Sequence, residues 1–252
     1  MRRLFYIFCT ALLLPVFFSC ENPLEYRPAD KSDKLIVNAL MDVGDTLHFV
    51  HLGISKTSRV AEVSGAELKC FVNGVLAAQT TDLQEGRLSF KADFQAGDRL
   101  RLEVKADGRF SASAEMTVPG QPVIERVSKE KISRMEFEDD SATTYIRFNI
   151  ELQDSGSGDG CYSVKIGENY ILCTGSTLLQ PEVLEDEIDA EGEISISVSS
   201  ISLQHYYYLK ALEYISDDGS DFSLEGVSIP DNISGGIGFA GVSNSSVTDV
   251  TP

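Results

Sequence analysis

The stretch that decides the fold class is Arg99-Leu-Arg-Leu-Glu-Val-Lys-Ala-Asp-Gly-Arg-Phe-Ser-Ala-Ser-Ala-Glu-Met-Thr-Val118. Apolar and polar residues alternate in both halves of it, and Asp107-Gly108 stands between the halves. Strict alternation is the pattern of a strand with one buried and one wet face, and Asp-Gly is a preferred two-residue hairpin turn. The stretch therefore predicts an antiparallel hairpin in a half-exposed sheet.

The same signals recur on both sides of this hairpin. Residues 146–152 and 194–198 alternate apolar with polar side chains, and residues 68–72 run into Asn73-Gly74 and return through residues 75–79. Asn-Gly between two apolar runs is the strongest short hairpin signal. Short strands at this spacing are typical of β-sandwiches.

The segment Pro119-Gly120-Gln121-Pro122 is the best internal boundary, because prolines at both ends interrupt any strand ladder that crosses it. We therefore expect an N-terminal immunoglobulin-like or prealbumin-like sandwich at residues 34–118. A second antiparallel β domain is expected at residues 123–252, with one amphipathic helix at residues 203–215. The predicted fold class is mainly β.

The N-terminus has the parts of an export signal. Two arginines precede the apolar run from Leu4 to Phe18, and Ser19 stands before Cys20. This pattern at residues 1–19 resembles a lipoprotein signal, in which the cysteine is acylated and becomes the first mature residue. The alternative is an uncleaved anchor, but an apolar run of about 15 residues is shorter than the roughly 20 that span a bilayer. Residues 20–33 are polar and read as a tether.

The charge is strongly acidic, with 21 Lys and Arg against 39 Asp and Glu and a net charge of −18. Removal of residues 1–19 would leave 19 basic residues and a net charge of −20. Nucleic acid is a disfavoured partner, because phosphate binding needs a basic surface.

Three cysteines remain in the expected mature domains. Cys161 and Cys173 flank a hairpin-like stretch, and an exported location permits disulfides. The sequence leaves open whether their side chains meet and pair. Cys70 alternates with Leu68 and Val72, so we expect a buried free thiol there.

No set of residues in the sequence matches a recognisable catalytic arrangement. Gly236-Ile-Gly238-Phe-Ala-Gly241 matches the dinucleotide pattern G-x-G-x-x-G, but the residues that follow do not predict a helix. We interpret it as a glycine-rich loop that enters the last strand.

Residues 154–160 and 217–221 resemble calcium loops faintly but lack ligand positions, so acidic turns are expected. The acidic stretch 182–193 is expected to be a solvated loop, with a docking surface for a basic partner as the alternative.

The histidines and tyrosines complete the candidate residues. His48 and His51 are three residues apart on a predicted strand, so they point to opposite faces, and His205 begins the predicted helix. No catalytic residue, metal site or cofactor is predicted from them. Tyr206, Tyr207 and Tyr208 form the one aromatic cluster; two are expected to pack on the sheet and the third to provide a contact surface.

Four stretches carry a family resemblance. They are Lys34-Leu-Ile-Val-Asn-Ala-Leu40, Ala112 to Pro119, Tyr206-Tyr-Tyr-Leu-Lys-Ala-Leu212 and Asn232-Ile-Ser-Gly-Gly-Ile-Gly-Phe239. Together they resemble the DUF4249 family of Bacteroidetes lipoproteins, with departures at Phe239-Ala240 and after Phe222-Ser223. The resemblance implies an outer-membrane lipoprotein, commonly encoded beside TonB-dependent receptors and without an established biochemical activity.

These observations predict a non-catalytic binding or accessory protein, anchored to the outer membrane through a lipid on Cys20. A TonB-dependent receptor is the expected partner. Two alternatives stay open: an adhesin or pilus-related component, and a secreted hydrolase. The sequence does not predict the ligand or the oligomeric state.

Overall fold

The computed structural model describes residues 33–56, 59–135, 142–154, 160–188, 193–217 and 229–250. The expected signal peptide, Cys20 and most of the tether lie outside these residues. So do residues 155–159 and 218–221 of the two stretches that resemble calcium loops, and residues 189–192 of the acidic stretch. Asp33–Pro252 form one compact unit.

The described residues form strands and one α-helix. In chain order the strands are β1 (Lys34–Asp42), β2 (His48–Lys56), β3 (Arg59–Ala61), β4 (Ala66–Val72), β5 (Val75–Thr80), β6 (Leu83–Gln84), β7 (Arg87–Phe90), β8 (Arg99–Ala106), β9 (Phe110–Thr117), β10 (Ile124–Met135), β11 (Ala142–Leu152), β12 (Gly160–Ile166), β13 (Asn169–Gly175), β14 (Leu178–Leu179), β15 (Glu182–Leu184), β16 (Ile194–Ile201) and β17 (Ile237–Val250). Helix α1 (Leu203–Asp217) lies between β16 and β17, and a 3-10 turn covers Glu185–Glu187. The fold is mainly β, as predicted.

The strands form three sheets. The largest has the order β13-β12-β16-β17-β1-β2-β7-β6, with β3 beside β2. A four-stranded sheet has the order β5-β4-β8-β9, and in another β11 pairs with β10, β14 and β15. The β1–β17 pair is parallel. The other pairs of the described strands are antiparallel.

The first sandwich packs β1, β2 and β7 against β4, β8 and β9. The alternation that predicted the β8–β9 hairpin explains this packing, because Leu100, Leu102 and Val104 are each 1% exposed inside it. Asp107 and Gly108 both have positive φ, as a type I′ hairpin turn requires. The predicted hairpin is confirmed.

A second sandwich packs β11 against β12 and β16. Phe148 and Ile150 of β11 are fully buried in its core, together with Val164, Ile196 and Val198 from the facing sheet. The period-2 alternation of β11 and β16 places these side chains on the inner face.

Strand β17 belongs to both sandwiches. Its residues Ile237 to Ser243 pair with β1, and residues Asn244 to Val250 pair with β16. Ala240 and Val242 lie in the first core, whereas Val250 packs against the second. The expected N-terminal sandwich at residues 34–118 is therefore completed by a segment from the far end of the chain.

The same strand holds the boundary segment between the two sandwiches. Asn244 Nδ2 donates to the Pro119 carbonyl at 3.0 Å, and Ser246 Oγ donates to the Pro122 carbonyl at 2.5 Å. Gln121 Nε2 donates in turn to the Ser245 carbonyl at 2.9 Å. The segment at residues 119–122 is thus fixed to β17 at both ends.

The acidic stretch differs from the predicted solvated loop. Glu182 begins β15, which pairs with β11, and its carboxylate accepts a hydrogen bond from Arg147 Nη2 at 2.8 Å. The same carboxylate lies 2.7 Å from Arg134 Nη2 on β10. The expectation is wrong for these residues, because two arginines on neighbouring strands neutralise the carboxylate and hold the segment on the sheet.

Candidate contact surface on the helix

Helix α1 begins at a capped N-terminus. Ser202 Oγ accepts a hydrogen bond from the His205 backbone N–H at 3.1 Å, and the Ser202 carbonyl accepts one from the Tyr206 N–H at 2.9 Å. A serine at this position satisfies one of the backbone donors that the first turn leaves free. The predicted helix is confirmed, and it runs two residues beyond Ile215.

The inner face of α1 packs on β17. The Tyr208 ring stacks on the Phe239 ring with a centroid distance of 4.3 Å and an interplanar angle of 10°. His205 is 4% exposed and lies over Gly241, where a Cβ would come within 2.8 Å of His205 Nδ1. The glycine therefore provides the space that the imidazole occupies.

Burial determines the protonation of His205. Desolvation lowers its pKa to about 4, against the opposing effect of a hydrogen bond with the Val242 backbone. Nδ1 has no hydrogen-bond partner within the described part of the chain. The imidazole is accordingly neutral at pH 7, and its contacts are those of a core side chain.

The side chain of Asn232 hydrogen-bonds to β17 in the part of the strand that β16 does not reach. Strand β16 ends at Ile201, beyond which the free edge of β17 needs another partner. Asn232 Oδ1 accepts from the Ala240 N–H at 2.8 Å, and Asn232 Nδ2 donates to the Ala240 carbonyl at 2.7 Å. One side-chain amide thus replaces a strand neighbour and fixes the surface on which α1 rests.

The outer face of α1 is aromatic and exposed. Leu203, Tyr207 and Tyr214 are 57%, 54% and 58% exposed. They are four and seven residues apart, so they lie on one side of the helix, together with Lys210. We call these four residues the tyrosine face. Large aromatic groups with a polar tip are enriched in protein interfaces.

The three tyrosines singled out from the sequence have different environments. Tyr208 is buried, Tyr206 is half-buried and touches the Tyr207 ring edge-on at 5.7 Å, and Tyr207 is exposed. The sequence places Tyr214 at helical spacing with Leu203 and Tyr207, seven residues or two turns after Tyr207. The spacing does not show whether this side of the helix packs on the sheet or stays exposed, so the sequence did not mark Tyr214 as a contact residue.

The disulfide that the sequence left open between Cys161 and Cys173 is not formed. Tyr162 lies opposite Cys173, and Cys161 lies opposite Thr174. Successive residues of a strand point to opposite faces, so the two sulfur atoms are on different sides of the β12–β13 pair. Both thiols are free, and burial raises the pKa of Cys173 to about 11. Cys70 is also free and fully buried.

The remaining candidate residues are separated in space. His48 is buried, stacks on Phe94 with a centroid distance of 4.8 Å, and places Nε2 3.1 Å from the Ala92 carbonyl, whereas His51 is exposed on the other face of β2. Among the described residues, no group of His, Cys, Asp and Glu could hold a metal ion. Gly238 and Gly241 lie within β17, and no helix follows them in the described chain.

None of the helices in the described ranges is long and apolar enough to cross a membrane. The model of a family described as "Domain of unknown function (DUF4249)" matches residues 21–249. No curated protein matches the chain in sequence.

Several solved structures are similar to parts of the chain. The central fibronectin-III array of RIM-binding protein is 9% identical, with 68% of this chain and 59% of that chain covered and a TM-score of 0.21. A β-glucuronidase from Parabacteroides merdae is 13% identical, with 68% and 23% covered and a TM-score of 0.28. A bacterial ice-binding adhesin is 14% identical, with 88% and 66% covered and a TM-score of 0.22. The chain thus spans less than two thirds of each of these structures, and likeness at this level carries no argument about function.

Proposed function

The chain belongs to the DUF4249 family, and from this premise we propose that it is a non-catalytic accessory lipoprotein of the Bacteroidetes outer membrane. Its anchor is a palmitate-bearing Cys20, exposed as the first mature residue once residues 1–19 are removed. Support comes from the arginine pair, the apolar run and the position of the cysteine. Several acyl chains on one residue hold a protein stably, whereas a single chain binds only marginally.

The observation that carries the binding role is the tyrosine face. Tyr207 and Tyr214 project from a helix whose opposite side is fixed by the Tyr208–Phe239 stack. Aromatic side chains on a rigid support lose little conformational entropy on binding, which makes them efficient interface anchors. The proposed partner is a TonB-dependent receptor of the same membrane.

The partner is tested by capture from native outer membranes with tagged protein. The chain with Tyr207→Ala and Tyr214→Ala should recover at least tenfold less receptor than the wild type, because each anchor contributes about 1–2 kcal/mol. Its melting temperature should stay unchanged, since both side chains are more than half exposed. Tyr170→Ala is the matched control, because Tyr170 is 67% exposed on β13.

Two results would contradict the binding role. One is equal receptor recovery by the double variant and the wild type, and the other is an equal loss in Tyr170→Ala. A photo-crosslinking residue at position 207 gives an independent readout, because it should form a covalent adduct with the receptor in intact cells.

The anchor is tested separately with Cys20→Ser and its control Cys9→Ser, which lies inside the proposed signal peptide. Cys20→Ser should abolish incorporation of labelled palmitate and release the protein from washed membranes, whereas Cys9→Ser should change neither. Firm membrane retention of Cys20→Ser would rule out the lipid anchor.

A further inference from the structure

The second sandwich has a cavity beside its core. The cavity has a volume of about 350 Å³ and an apolar wall made of Ile146, Ile188 and Ile194. Ile146 and Ile194 are core residues, only 8% and 6% exposed, and Ile188 packs against the same core. The wall of the cavity is therefore continuous with the hydrophobic interior, which distinguishes it from a groove between surface side chains.

Two lysines stand at the rim on strand β10. Lys129 pairs in register with Phe148, and Lys131 pairs with Ile146. Cross-strand partners share a face of the sheet, and both partners are buried in the core. The two lysines consequently lie on the inner face of β10, on the side of the cavity.

Among the residues that the structure describes, one cation of the rim has no ion pair. Lys131 forms an ion pair with Glu185, and Glu130 pairs with Arg147 at 3.3 Å. These are the other charged groups that line the cavity. Lys129 has no ion pair with any residue that the structure describes. An unpaired ammonium next to an apolar wall is complementary to a ligand with an anionic head and a hydrocarbon tail.

Protection of an edge strand is an alternative role for the two lysines, but it explains only part of the arrangement. Charged residues that point inward on an edge strand prevent another strand from pairing with it, and β10 is an edge strand. That role explains why Lys129 and Lys131 are charged. It does not explain why an apolar cavity opens beside them.

We propose that this cavity binds a single-chain amphipathic anion, a medium-chain fatty acid. Its hydrocarbon tail lies against Ile146, Ile188 and Ile194, and its carboxylate lies at Lys129. Small-molecule pockets measure roughly 300–1,000 Å³, and this cavity is at the lower end of that range. The volume therefore suits one short acyl chain and excludes a two-chain phospholipid.

The test is NMR of the isoleucine δ1-methyl groups in the chain from residue 21, which contains the whole compact unit. Decanoate, kept below micelle formation, should shift the methyls of Ile146, Ile188 and Ile194 saturably. The methyls of Ile36 and Ile54 in the first sandwich should not move. Affinity should rise from hexanoate to octanoate to decanoate by at most about fourfold per buried methylene.

Charge variants test the head group. Lys129→Gln should weaken decanoate binding about two- to fivefold, the size expected for one solvent-accessible ion pair. Lys105→Gln, an exposed lysine on β8, should leave it unchanged. Both variants should melt at the wild-type temperature, because both side chains are exposed.

Three results would overturn the proposal. They are the absence of a saturable shift with decanoate, equal affinity for decanoate and for uncharged decanol, and an unchanged affinity in Lys129→Gln. None of these measurements uses the receptor or the lipid anchor, so a failure here is distinguishable from a failure of the proposed accessory role.

Discussion

Gly238 lies where β17 passes closest to β1. Its φ is +122°, and a Cβ at this position would come within 2.3 Å of the Val37 carbonyl oxygen. Beside it, the Phe239 N–H donates to the Asn38 side chain at 3.1 Å. Gly238, which is part of the sequence match to a dinucleotide-binding pattern, thus allows the two parallel strands β1 and β17 to approach closely.

Gly238→Ala should therefore destabilise the protein strongly. The alanine would combine a disfavoured backbone conformation with a clash against backbone atoms, at a cost of about 2–4 kcal/mol. Gly120→Ala is the control, since a Cβ there would have no neighbour within 4 Å among the residues that the structure describes. Urea unfolding followed by circular dichroism measures both variants. Equal midpoints for the two would show that the approach of β17 to β1 is looser than described.

His205 should make the protein sensitive to mild acid. Burial holds its folded pKa at about 4, whereas an unfolded histidine titrates near about 6.5. As the pH falls from about 6.5 to about 4, the unfolded state takes up the proton first, so the free energy of unfolding decreases. The loss is on the order of 3 kcal/mol and is complete below the folded pKa.

The check on this pH dependence is the stability of His205→Leu across the same window. The variant should lose the wild-type slope between pH 6.5 and pH 4, whereas His51→Gln, an exposed histidine on β2, should keep it. Parallel curves for the wild type and His205→Leu would contradict the assignment of this slope to His205.

At the scale of elements, local patterns were sufficient for some structures and not for others. The β8–β9 hairpin follows from its alternation and its Asp-Gly turn, and α1 follows from its apolar spacing. Strand β15 could not be predicted, because it is held by Arg134 and Arg147, which precede it by 35 residues or more in the chain. The pairing of Cys161 with Cys173 could not be decided from the sequence for a related reason: a shift of one residue in register reverses the face on which a side chain lies.

The functional surface was predictable in part. The tyrosine cluster marked α1, but only the packing of Tyr208 on Phe239 determines which tyrosine is buried and which is free. The cavity beside Lys129 was not predictable from local pattern, because its wall combines residues from β11, from the segment after the 3-10 turn and from β16.

Tyr208→Ala should detach α1 from β17. The ring is 9% exposed and stacks on Phe239, so its removal leaves a cavity and should cost about 3 kcal/mol. Tyr207→Ala, one residue earlier and 54% exposed, should change stability by less than about 0.5 kcal/mol. Chemical unfolding of the two variants measures the difference. Similar destabilisation by both would mean that the helix does not have one packed and one free face.

At the scale of the whole molecule, the sandwiches are joined by a shared strand. Ile233, Ala240 and Val242 belong to the first core, although they follow strands β10 to β16 of the second sandwich in the chain. The first core therefore stays incomplete until the last strand is added. Completion of this core requires the pairing of β1 with β17, which are about 200 residues apart in the chain. Such a contact carries a large entropic cost of loop closure and is expected to form slowly.

This dependence predicts how fragments behave. Residues 33–122 alone should not unfold cooperatively, because β1 lacks its parallel partner and the core lacks Ala240 and Val242.

A fused fragment should fold. In it, residues 229–243 precede residue 33 and are joined to it by a flexible linker of about 12 residues, which is long enough to return along one strand. Amide NMR dispersion and a urea transition distinguish the two fragments. A cooperative transition of the unfused fragment would show that the first sandwich is independent of β17. The fused fragment with Gly238→Ala is the matched control: it contains the same strand but should lose stability, because the alanine obstructs the same approach to Val37.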